Sequence, residues 1–219
     1  MASEIVYSVR RAPRARRVRV RIDPHRGVEV VLPPRAPARA AAEAVSELAP
    51  WIERRLAELA LARERLVPGE GWLPYLDGRL RVVVEPGRRR VHRSGDTLLV
   101  PAGTEAPDAL ERWYRRAARE ELTRRLDRAT ALAGSRYTSL AIRNQRTRWA
   151  SCASGGAMSF NWRLLLAPER VLDYVVWHEV CHLEVADHSK RFWALLESRC
   201  PGWRQAAAWL RENGSALVL

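Results

Sequence analysis

Residues 171–183 read Val171-Leu172-Asp173-Tyr174-Val175-Val176-Trp177-His178-Glu179-Val180-Cys181-His182-Leu183. At about 100° of turn per residue, His178 and His182 sit roughly 40° apart on one face of a helix, one turn from each other. Both imidazoles can then reach a single metal ion, and Glu179 between them is displaced toward the side where a water on that ion would sit. The same wheel sets Val171 and Val175 beside the histidines and Leu172, Val176 and Leu183 on the next face. Such a helix is apolar nearly all round and belongs in a core. Burying two imidazoles and a carboxylate there is costly unless they are paired or metal-bound, and a metal supplies the compensation. The plainer alternative is a chance spacing of hydrogen-bonded core histidines.

A catalytic zinc commonly takes three protein ligands and keeps one position open. His188 is the leading candidate for the third, because the other two histidines, His25 and His92, lie in turn-like basic contexts. Glu197 is the competing candidate, by analogy with sites that use a downstream glutamate. The spacing from His182 to His188 is that of the metzincin motif, but Val185 stands where that motif has glycine. Metzincins also need a downstream methionine turn, and the methionines here are Met1 and Met158. That family is excluded.

Two blocks flank this core, Arg143-Asn144-Gln145-Arg146-Thr147-Arg148-Trp149-Ala150-Ser151-Cys152 and Ser159-Phe160-Asn161-Trp162-Arg163-Leu164-Leu165-Leu166-Ala167-Pro168. Together with His178 to His182, His188-Ser189 and Phe192-Trp193, they resemble the YgjP-like zinc metallopeptidase family, related to the SprT-like zincins. The match is densest over residues 137–203. Ala150 replaces a glycine of the family pattern and Val180 a leucine, and neither is a proposed ligand. The resemblance implies a zincin-like catalytic lobe in which a small antiparallel sheet packs on the metal-bearing helix, and it favours His188 as the third ligand.

The remainder reads as an α+β chain. Val18 to Ile22 and Val28 to Leu32 alternate around Asp23-Pro24-His25-Arg26-Gly27, as in a β-hairpin with one wet face. A helix from about Ala38 to Leu66, strands at Arg79–Val84 and Thr97–Val100, and a second helix from about Ala106 to Ala133 follow. Strands are expected at Tyr137–Arg143, Arg148–Cys152 and Ala157–Leu166. The metal-bearing helix opens at Pro168 and Glu169, and short helices follow near Ser189–Ser198 and Trp203–Glu212. A soft boundary near Gly134 separates an N-terminal lobe, 1–134, from the catalytic lobe, 135–219.

Composition bounds the function. The chain has 219 residues and a formal charge of +13, and Lys190 is its only lysine. A P-loop is therefore excluded, and lysine Schiff-base chemistry has almost no candidate. Residues 1–93 hold 20 arginines against 11 acids, whereas 143–219 carry only +3. An arginine-rich surface can hold nucleic acid or an anionic substrate, or it can be an ordinary solvated face. Cys152, Cys181 and Cys200 form no paired framework, and no apolar run reaches the ~20 residues of a membrane span. A cytoplasmic protein without membrane contact is expected.

The expected activity is hydrolysis of a peptide or protein by water activated on Zn²⁺, with His178, His182 and His188 as ligands and Glu179 as general base. Arg148, Asn161, Arg163 and Tyr174 are candidate substrate contacts; the plainer reading is a surface ion pair for the three strand-borne residues and core packing for Tyr174. A zinc-dependent hydrolase of small phosphorylated compounds and a nucleic-acid-binding module with a structural metal are the alternatives. Cys181 reads as a core thiol. Cys152 can approach the site from its hairpin, although core filling is the simpler role, and the tryptophans read as core.

Overall fold

The computed structural model describes residues 5–23, 27–66, 71–104, 106–145 and 148–219. The expected hairpin turn at 24–26 and Arg146 lie outside them. The chain forms two compact units that divide between residues 66 and 67. Gly134 falls inside the second unit, because the helix that ends there packs against the elements that follow it.

In the first unit, β2 (Arg19–Asp23) and β3 (Gly27–Leu32) form the expected antiparallel pair, with Val20 opposite Val30. A strand not anticipated, β1 (Tyr7–Arg11), runs parallel to β3 on its other side, giving the order β1-β3-β2. Val28, Val30 and Leu32 face a core shared with Ala41, Val45 and Ile52. The expected wet face is realised on β2, where Arg19 and Arg21 are exposed, but not on β3. There Val31 is buried, and buried Glu29 accepts from Arg10 at 3.2 Å. The expected helix over 38–66 is two helices, α1 (Arg39–Glu47) and α2 (Ala49–Leu66). Pro50 explains the break, since it has no N–H to give to the preceding turn.

The second unit opens with β4 (Trp72–Tyr75), β5 (Gly78–Glu85), β6 (His92–Ser94) and β7 (Thr97–Pro101), in the order β4-β5-β7-β6. The long helix α3 (Ala106–Ala133) ends at Gly134, whose φ of +63° suits glycine. Next come β8 (Ser139–Arg143), β9 (Ala150–Cys152) and β10 (Ala157–Asn161). β10 pairs parallel to β8 and antiparallel to β9, so this sheet is mixed, not antiparallel as expected. The strand expected to run to Leu166 stops at Asn161, and Trp162–Leu166 forms a 3-10 helix.

Then follow α4 (Glu169–Cys181), α5 (Lys190–Arg199) and α6 (Trp203–Asn213). α4 contacts α3, α5, α6, β9 and the 3-10 helix, which accounts for its apolar surface. Two polar devices fix its start. Asp77 accepts the Glu169 backbone N–H at 2.9 Å, supplying a cap that Pro168 cannot. Arg125 of α3, 7% exposed, reaches Glu169 and Asp173 of α4 and bonds Glu121 of its own helix at 2.7 Å. Among the described residues, no helix is long and apolar enough to cross a membrane, and all three cysteines are free.

The C-terminal end of α6 is held by close packing. A Cβ on Gly214 would stand 2.8 Å from the indole of Trp149, which leaves no room for it. Gly214→Ala should therefore destabilise the protein by about 1–3 kcal/mol through overpacking, measured by urea unfolding. An unchanged midpoint would mean that the indole moves aside freely.

Candidate metal centre

The three histidines meet where α4 ends. His178 and His182 are one turn apart, with Nε2 atoms separated by 3.2 Å, and His188 Nε2 lies 3.0 Å from that of His178. One ligand atom from each falls within 4.8 Å of the others. Three ligands on a tetrahedral ion with bonds of about 2.1 Å stand about 3.4 Å apart, so the convergence matches a metal's requirement. Burial favours the neutral, ligating form of His178 and His182. Burial, then the proximity of His182 and His188, pushes His178 down to about 4, and burial chiefly lowers His182. Glu197 is absent from the group: its carboxylate accepts from Trp203 Nε1 at 2.8 Å and pairs with Arg204.

Local backbone sets these positions. After α4 the chain turns back through hydrogen bonds from Glu184 and Val185 to the Cys181 carbonyl, at 3.1 and 3.0 Å. The turn carries the Val185 carbonyl to His182 Nδ1 at 3.1 Å. A carbonyl only accepts, so Nδ1 carries the proton and Nε2 keeps its lone pair for a metal. Val185 makes this turn with negative φ, so glycine is not needed. Ala150 likewise needs no positive φ.

His188 lies on the exposed segment before α5, and rings hold it. It stacks on Trp193 at 5.4 Å and 27°, Trp193 on Trp203 at 4.7 Å and 19°, and Trp203 on Tyr174 at 6.3 Å and 20°. Tyr174 meets His178 edge-on at 5.9 Å, which closes the circuit. These tryptophans are therefore more than core filling. Their helical spacing resembled an ordinary apolar stripe, and only the stacking reveals the role.

Glu179 is 5% exposed. Burial raises its carboxyl to about 7, against the pull of the Cys152 backbone N–H that donates to it. Cys152 thus approaches the site through its amide, with its thiol turned to the Ala153 carbonyl at 3.5 Å. The other candidates are dispersed. Asn161, 1% exposed, donates to the Gln145 carbonyl at 2.8 Å and caps the 3-10 helix by accepting from Arg163 N at 3.1 Å. Arg163 is on that helix, not on a strand, with its guanidinium 5.6 Å from the Trp162 ring. Arg148 is exposed just before β9.

One stability measurement and one binding measurement test this geometry. In the metal-free protein, the raised Glu179 contributes stability below about pH 4.5 that is lost as pH rises through about 7. The depressed His178 contributes stability above about 6.5 that is lost as pH falls through about 4. The two oppose each other between these limits. Glu179→Gln should equal the wild type near pH 4 and exceed it by up to about 3 kcal/mol above pH 8, in chelator-treated thermal melts. Parallel curves would refute the desolvated carboxylate. Trp193→Ala should weaken metal binding about tenfold in a competition titration, with Trp193→Tyr closer to wild type.

No curated protein and no solved structure gives a significant match to this chain.. The family model of the YgjP-like metallopeptidase domain matches residues 16–213. A match over that span, nearly the whole chain, makes this protein a member of the YgjP-like metallopeptidase family.

Proposed function

We propose that this protein is a zinc-dependent peptidase in which His178, His182 and His188 hold the metal and Glu179 is the general base. The observation that carries the reading is the convergence of three imidazole nitrogens one residue away from a buried carboxylate. Membership of a metallopeptidase family supports a peptide or protein as substrate. Held by His178, His182 and His188, zinc would supply an acidified water and Lewis-acid polarisation of the attacked carbonyl.

The chain's own groups do the rest. Glu179, buried beside His178, is placed to take a proton from the attacking water and return it to the leaving amine. The Cys152 amide fixes the carboxylate for both transfers. Tyr174 and Arg148 are left to contact substrate, whereas the amide of Asn161 is committed to backbone and holds the strand end in place. In this reading residues 135–219 carry the reacting groups, and α3 with the four-stranded sheet supports them.

Glu179→Gln should retain zinc and lose about 10²-fold or more in kcat on peptide substrates, since proton transfer contributes on that order. His178→Ala and His188→Ala should lose metal and activity together, as measured by metal analysis beside the peptide assay. A zinc-loaded Glu179→Gln protein with full turnover would sink the mechanism, and a zinc-replete His188→Ala protein would sink the ligand set.

A further inference from the structure

Apart from the metal centre, the second unit carries a hollow of about 420 Å³ lined by Arg89, Arg90, Val91, Ala109, Arg112 and Arg116. Four of its six lining residues are arginines and none is acidic. Arg112 and Arg116 stand one turn apart on α3, a like-charge spacing with Asp108 one turn before it and Glu120 one turn after. Arg89 and Arg90 come from the turn between β5 and β6. Among the described residues, none of the four makes a salt bridge. Of the nearby acids, Glu111 pairs with Arg115 at 2.7 Å and Glu85 with Arg88 at 2.7 Å, while Asp108 and Glu120, one turn before Arg112 and one turn after Arg116 on α3, form no salt bridge with them among the described residues. A neighbouring hollow of about 400 Å³ shares Arg89 and Arg90 and contains that neutralised Glu85.

We propose that Arg89, Arg90, Arg112 and Arg116 form a binding site for a compact oligophosphate, separate from the metal centre. Guanidinium forks match phosphoryl oxygens bidentately, and four of them around one concavity favour two or more linked phosphoryl groups over a single phosphate. The floor is aliphatic, with Val91 5% and Ala109 4% exposed, and no lining residue has a ring on which a base could stack. Recognition is therefore of the phosphate chain and not of an attached nucleoside. The same chemistry could be presented by free pyrophosphate or triphosphate or by a stretch of nucleic-acid backbone, and the concave shape favours the free oligophosphate.

Calorimetric titration of the full chain with inorganic pyrophosphate, tripolyphosphate and orthophosphate tests this at low salt. The condensed phosphates should bind about tenfold or more tightly than orthophosphate, and Arg112→Gln/Arg116→Gln and Arg89→Gln/Arg90→Gln should each weaken them about tenfold. Arg19→Gln/Arg21→Gln, an equally exposed pair on β2, should have no effect. Binding should persist in His178→Ala, which separates this site from pyrophosphate held by a metal and from the peptidase reading itself. Loss in His178→Ala, equal loss in all three arginine pairs, or no binding of pyrophosphate would overturn the proposal. A single-stranded oligonucleotide that binds and is displaced by pyrophosphate at the same arginines would support the site with nucleic acid as the phosphate source. Oligonucleotide binding indifferent to those arginines, together with pyrophosphate binding that is also indifferent, would count against it.

Discussion

Desolvation of α4 is the constraint on which the second unit depends. The helix carries His178 and the buried carboxyl of Glu179, with His182 as its C-cap, and yet is covered by α3, α5, α6, β9 and the 3-10 helix. Burial costs the charged form of each group, so it drives His178 toward neutrality and Glu179 toward protonation. Both shifts suit the roles proposed for these groups. A metal needs a neutral imidazole, and a general base working near neutrality needs a carboxyl raised from its ordinary range. The packing that makes α4 a core helix thereby also sets the protonation states at its C-terminal end.

A helix enclosed in this way has to be placed accurately, and polar contacts at its start do so where they interfere least with the site. Arg125 binds Glu169 and Asp173 at the first turns of α4, and Asp77 caps the first N–H. At the other end the site is held by groups with no charge to compete for the metal: the Val185 carbonyl, the Cys152 amide and the stacked rings. Charge at one end and neutral contacts at the other keep the fixing interactions from drawing on the imidazole lone pairs. Trp193 is notable in this respect, since it orients His188 with a face and not with a hydrogen bond.

Much of this was legible in the sequence, because its strongest signals are local. The spacing of His178, Glu179 and His182, the proline before α4 and the glycine after α3 are each decided within a few residues. The β2–β3 pairing also follows from alternation. What was not legible depends on partners far along the chain. β1 beside β3 and β4 beside β5 have no periodic signature of their own, and the mixed character of the β8-β10-β9 sheet is a matter of topology. The split between α1 and α2 was available in Pro50 and was outweighed by the Ala-rich composition around it. Asn161 looked like a substrate ligand because a polar residue among apolar ones invites that reading. Its buried amide instead supplies two backbone groups that a strand end and a 3-10 helix leave unpaired.

The arginine excess also has to be read through the structure. The sequence placed most of it in the first 93 residues, as a gradient along the chain. In the folded second unit the relevant distinction is between arginines whose charge is answered and those whose charge is not. Arg88, Arg115, Arg124, Arg125, Arg199 and Arg204 each meet a carboxylate. These serve the fold, tying turns to themselves or one helix to the next. Arg89, Arg90, Arg112 and Arg116 line a concave surface with no acid in it. In water an isolated surface guanidinium needs no partner, but four around one hollow add their positive potentials there. Total charge therefore says little about binding here, whereas the convergence of unanswered charges from two separate elements, the β5–β6 turn and α3, defines where an anion would be held.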